Sequence, residues 1–217
     1  MKLFYLNAAL SFLFILHANA QQRPSGLLTD LLQGTDKVYV NGYPSNLRLG
    51  EIENAIEAVQ FAEVRSARPS FSWIVPGDAN GTMQTGYRII VAESPKDAEA
   101  GNGTIWDSKH VKSAASVGVL FGAEGLQPSK TYYWRVKTFT NTGAESEWSE
   151  VKAFRTASRL SAYQSSYEPL LKTMQMPAKV TTVGESKVFD FGKDAFGQVM
   201  ISMGTANDND TVQVSLG

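Results

Sequence analysis

The 217-residue sequence predicts an all-β protein: one complete two-sheet sandwich followed by the first strands of a second. Three observations carry this expectation. Between residues 59 and 157, short alternating stretches are separated by clusters of Gly, Pro, Asn and Ser, the rhythm of a β-sandwich. There is no cysteine, so ordinary hydrophobic cores rather than disulfides must hold the fold. The final stretch, DTVQVSLG, alternates Val212, Val214 and Leu216 with Thr211, Gln213 and Ser215, and no return strand follows it. Complete proteins usually cover, charge or shorten such an edge, so the chain is expected to stop partway through its second sandwich.

The first element is MKLFYLNAALSFLFILHANA, with Lys2, an apolar run through Leu16 and Ala18 and Ala20 in A-x-A spacing. This reads as a secretory signal peptide over 1–20, cleaved near Ala20. The run is shorter than the roughly 20 residues that span a bilayer, and Asn7 interrupts it. Without cysteine no lipid anchor is possible, so an exported protein, periplasmic or extracellular and without a membrane anchor, is expected. In the leader over 21–58, GLLTDLLQG sets Leu27, Leu28, Leu31 and Leu32 on one helical face closed by Gly34, predicting a short helix. A packing role and a binding role both stand for this leader.

Composition excludes several function classes. With 20 basic against 21 acidic residues, there is no basic groove for nucleic acid and no polybasic membrane patch. His17 leaves with the signal peptide, which leaves His110 and no thiol, so a Cys/His zinc site cannot be built. His110 lies in WDSKHVKS, read as a solvated loop without a nucleophile motif. No phosphate loop or dinucleotide fingerprint occurs, and no cofactor is expected. The acidic stretch at 208–210 lacks the glycine and glutamate of an EF-hand and reads as a polar hairpin turn.

The strands predicted for 59–157 are VQFAEVR, PSFSWIV, TGYRIIVAE, TIWDS, SVGVLF, TYYWRVKTFT and VKAFRT. In TYYWRVKT, Tyr132, Trp134 and Val136 share one face while Tyr133, Arg135 and Lys137 share the other. Leu126, Pro128 and Tyr132 stand in the L-x-P-x-x-x-Y arrangement of a tyrosine corner. This region resembles a fibronectin type III domain, an immunoglobulin-like sandwich, with Trp73 and Trp134 as core residues. ESEWS resembles the second half of the tryptophan–serine box of cytokine-receptor modules, with Glu145 where the first tryptophan would stand. Trp148 is therefore expected to stack on Arg135 and Lys137 rather than serve as a sugar platform. Trp106 in IWDS reads the same way, as packing rather than platform. Trp73, Tyr132, Trp134, Trp148 and Arg135 are thus structural candidates, and no residue is a catalytic, cofactor-binding or metal-binding candidate.

Residues 158–217 begin the expected second sandwich, with Val199, Ile201 and Met203 alternating before the final strand. The order PSFSWIV, QTGYRIIVAES, IWDSKHVKS, LQPSKTYYWRVKTFTNTGAESEWSEVKAFRTA, FDFGKDAFGQVMI resembles the N-terminal part of exported bacterial α-L-rhamnosidases of the Bacteroidetes type. The resemblance implies a non-catalytic accessory region whose partner is a downstream catalytic (α/α)-barrel of the same protein, acting on rhamnose-containing glycans. It also implies an inverting hydrolase with both catalytic carboxyl groups on that barrel. No residue here matches those positions, and Asp107, Asp190 and Asp194 belong to strand and turn motifs. The 217 residues alone are expected to be inactive. The alternative is a self-standing exported fibronectin-like binding or adhesion module.

Overall fold

A computed structural model of the chain describes residues 22–55, 58–77, 79–162, 165–202 and 211–216. The signal-peptide expectation over 1–20 and the polar turn at 208–210 lie outside these residues. The chain divides into two compact units, one ending at Thr173 and the other beginning at Met174.

In the first unit the strands are β1 (Ser25–Thr29), β2 (Val38–Val40), β3 (Tyr43–Pro44), β4 (Val59–Phe61), β5 (Glu63–Ser66), β6 (Ser70–Ile74) and β7 (Gln84–Ala92). They continue with β8 (Trp106–Asp107), β9 (Val111–Lys112), β10 (Val119–Leu120), β11 (Thr131–Thr140) and β12 (Lys152–Ser161). A 3-10 helix spans Leu49–Asn54, and α1 spans Pro95–Glu99. One sheet runs β1-β6-β10 and the larger one β5-β12-β11-β7-β8, with β9 also on β7. Between them lies the core: Leu27, Phe71 and Trp73 from the small sheet against Val64, Ile89, Val91, Tyr132, Trp134, Val136 and Phe154 from the large one. The two-sheet, one-core arrangement follows from alternation, since each strand offers one apolar face to its opposite sheet. The interior strand β7 is buried on both faces: Ile89 and Val91 enter the core, and Ile90 is fully buried as well.

The leader differs from its expectation. Ser25–Thr29 is a strand, not a helix, and pairs antiparallel with β6. Asp30 and Leu31 take φ values of 48° and 64°, the left-handed region that a right-handed helix cannot cross. The leucines consequently separate: Leu27 enters the core and Leu31 is 63% exposed. Asp30 accepts from the backbone N–H of Ser70 at 2.7 Å and from the Ser166 hydroxyl at 2.6 Å, holding the turn against β6. The sandwich thus takes one strand from outside the 59–157 range, and β12 runs past its end to Ser161. VQFAEVR also divides at Ala62: β4 joins a small sheet, β3-β2-β4, while β5 runs parallel to β12. That small sheet and the 3-10 helix share a second cluster of Val38, Leu49 and Ile52.

The second unit contains, among its described residues, one antiparallel hairpin, β13 (Lys179–Val183) with β14 (Ser186–Asp190). Gly184 has φ 61°, as the first central residue of a two-residue type II′ turn requires. The further strands expected at 199–203 and 211–216 are not formed in the described residues. Alternation alone does not make a strand; a neighbouring backbone must complete the ladder. Val199, Ile201, Val212 and Val214 are each about half exposed.

Candidate functional site

The chemistry-bearing side chains of the first unit are organised by β11. Its inward face is structural. Tyr132 is fully buried, and its hydroxyl accepts the Gln127 backbone N–H at 2.8 Å, closing the corner that Leu126 and Pro128 prepare. Trp134 donates its Nε1–H to the Thr29 hydroxyl at 3.0 Å, which ties the leader strand into the core. Trp73 donates to Gln84 Oε1 at 2.9 Å, and Gln84 passes its own amide on to the Ser113 and Ala115 carbonyls. Trp106 packs its ring 5.3 Å from Phe121, edge to face, and 6.3 Å from Phe71.

The outward face carries a rack of cations beneath a single ring. The ESEWS segment lies along β11, where Ser146 and Ser149 accept the Thr138 and Val136 N–H groups at 2.9 and 3.1 Å. This sets Trp148 over three cations: Lys137 at 4.9 Å, Arg88 at 5.5 Å and Arg135 at 5.9 Å from the ring. Arg135 is the most distant, because its guanidinium is committed to the Ser149 carbonyl at 2.7 Å and the Glu99 carbonyl at 3.0 Å. Glu145, in the place of the missing tryptophan, pairs with Lys137. Sequence reasoning missed Arg88. Alternation in TGYRIIVAE puts it on the outer face, but only the β7–β11 register, with Arg88 opposite Lys137, brings it to the rack.

Asp107, Asp190 and Asp194 sit in strand and turn surroundings. Asp107 accepts from Arg88 through both oxygens, at 3.0 and 2.8 Å, and also pairs with Lys109. The Arg88 hydrogen bond holds its carboxyl well below the ordinary aspartate range. Asp190 caps its own turn by accepting the Gly192 N–H at 2.7 Å, and Asp194 is exposed. His110 is exposed and stacks on Phe139, ring centroids 4.1 Å apart. No cluster of three or more metal-ligating side chains occurs among the described residues, nor does any helix there have the length and apolarity to cross a membrane.

A polar cleft of about 310 Å³ opens at one end of the large sheet, lined by residues that include Gly50, Glu53, Glu93, Ser129, Tyr133 and Arg155. Arg155 donates to Glu53 at 2.9 Å and to the Thr131 hydroxyl at 3.3 Å, while Lys130 pairs with Glu93 at 2.5 Å. Burial pushes the Tyr133 phenol above its usual value, so it is a neutral O–H. The cleft joins the leader to positions a hundred residues away, so no local pattern in the sequence announces it.

The family model of the Rha78A-like N-terminal immunoglobulin domain matches residues 54–159. An alpha-L-rhamnosidase of Formosa agariphila is 34% identical over 92 residues, covering 42% of this chain and 10% of that protein. One from Streptomyces avermitilis is 36% identical over 84 residues, covering 39% of this chain and 8% of that protein. The solved alpha-L-rhamnosidase of Dictyoglumus thermophilum is 30% identical, with a TM-score of 0.42, covering 44% of this chain and 11% of its own. The matched part of the chain spans about a tenth of the length of these curated relatives. Residues 54–159 thus form the greater part of a β-sandwich that matches the Rha78A-like N-terminal immunoglobulin domain.

Proposed function

We propose that the chain is the non-catalytic N-terminal accessory region of an exported α-L-rhamnosidase. The observation that carries this reading is the family match at 54–159, to a domain that occupies a tenth or less of curated rhamnosidases. Six carboxylates of the first unit are engaged by cations: Asp36, Glu53, Glu93, Asp107, Glu145 and Glu150. An inverting glycosidase needs two carboxyl groups about 6.5–9.5 Å apart across the scissile bond, one of them held protonated. The Arg88 hydrogen bond favours the ionised form of Asp107, the opposite of what a general acid requires.

In this reading residues 1–20 are a signal peptide directing the protein to the periplasm or beyond. Residues 21–58 are a leader built into the sandwich, 59–157 its main body, and 158–217 the start of the next domain. Hydrolysis of rhamnose-containing glycans belongs to a catalytic domain downstream. The test is to assay an aryl α-L-rhamnoside with residues 21–217 and with a form extended through that domain. Turnover by the extended form alone is the expected result, and comparable turnover by the short form would overturn the reading.

A further inference from the structure

We propose that the cleft between the Leu49–Asn54 helix and the starts of β11 and β12 binds a neutral sugar of monosaccharide size. The proposal takes from the rhamnosidase reading only its choice of probe, L-rhamnose. The volume, about 310 Å³, stands at the small end of the ligand-pocket range of roughly 300–1,000 Å³. Its charges cancel in pairs, Arg155 with Glu53 and Lys130 with Glu93, so a charged ligand would meet no uncompensated partner. The same pairs present guanidinium and ammonium donors beside carboxylate acceptors, the combination that vicinal hydroxyls satisfy by donating and accepting at once. Tyr133, half-buried and neutral, adds a ring and a hydroxyl.

Two backbone features show that this cleft is kept rather than left over. A Cβ at Gly50 would stand 3.0 Å from the Tyr133 hydroxyl, so glycine leaves that hydroxyl clear. Ser129 has φ 53°, a left-handed conformation that glycine would take without strain, yet a side chain is retained there and lines the cleft. Strain retained at a cleft-lining residue points to a use for its side chain.

The experiment titrates the full chain with L-rhamnose, following backbone amide resonances of Gly50, Thr131 and Tyr133, and repeats it with Ser129→Gly and Gly50→Ala. Saturable, localised shifts in the millimolar range are expected. Ser129→Gly should melt higher than the parent chain while binding at least about threefold more weakly. Gly50→Ala should weaken binding while the chain still melts cooperatively. No saturable shift, or unchanged affinity in either variant, overturns the proposal. Failure here beside normal hydrolysis by the extended form would leave the accessory reading standing. Binding here with no hydrolysis by that form would do the reverse.

Discussion

Replacing Thr29 by valine tests whether the leader strand belongs to the sandwich. Thr29 is fully buried on β1, and its hydroxyl receives the indole N–H of Trp134, itself fully buried on β11, at 3.0 Å. Valine keeps nearly the same shape and the same β-propensity, so packing and strand pairing change little. What is lost is the acceptor, and a buried donor left without one costs about 1–3 kcal/mol. Against a total stability of about 5–15 kcal/mol the loss is easily measured. In a unit of roughly 150 residues each kcal/mol moves the melting temperature by about 2–4 °C. The assay is urea denaturation followed by tryptophan fluorescence, run as a double-mutant cycle with Trp134→Phe. Once the donor is gone, Thr29→Val should cost distinctly less, giving a coupling above about 0.5 kcal/mol. Thr29→Ser, which keeps the hydroxyl and loses one methyl, should cost only about 0.8 kcal/mol. If Thr29→Val unfolds like the parent chain and the cycle shows no coupling, β1 is not seated on β6 and the sandwich begins later than the structure has it.

Trp73→Ala should cost about 3–5 kcal/mol in the same melts, since it removes a buried indole and leaves Gln84 Oε1 without its donor. Tyr132→Phe should cost about 1 kcal/mol, the net value of the bond from the Gln127 N–H. On the outer face, a cycle on Trp148 and Lys137 should show a coupling above about 0.5 kcal/mol, larger than that of Trp148 with Arg135. The reverse order would mean that ring distance does not govern this rack. Asp107 has its folded-state pKa lowered, chiefly by Arg88. Its stabilising contribution is therefore complete above the ordinary aspartate value of about 3.9 and is lost as pH falls below it. Asp107→Asn should flatten the acid limb of a stability–pH profile below about pH 4, and an unchanged limb would show that other groups carry it.

What the sequence discloses and what it withholds divides along the line between local and pairwise physics. Alternation is a property of one strand, so β6, β7, β11 and β12 were readable residue by residue. The tyrosine corner is local too, since its donor and acceptor are five residues apart. Register is a property of two strands. Nothing near Arg88 says that it faces Lys137, so the third cation under Trp148 could not be inferred from GYRII alone. The leader shows the same limit from the other side. Four leucines at helical spacing satisfy the local criterion for an amphipathic helix, yet β1 gains a ladder on β6, a buried bond from Trp134 and an anchor for Asp30 from Ser70. Those partners lie 40 to 105 positions away, and together they outweigh a propensity preference of a few tenths of a kcal/mol per residue. The cleft is the extreme case. Its walls come from the leader helix, the end of β7 and the starts of β11 and β12, and what marks it in the structure is a serine held at a left-handed turn position that glycine would take without strain. A side chain retained against its local preference is where a pairwise demand becomes visible in a single residue, and for that reason Ser129 is the position at which stability and binding should move in opposite directions.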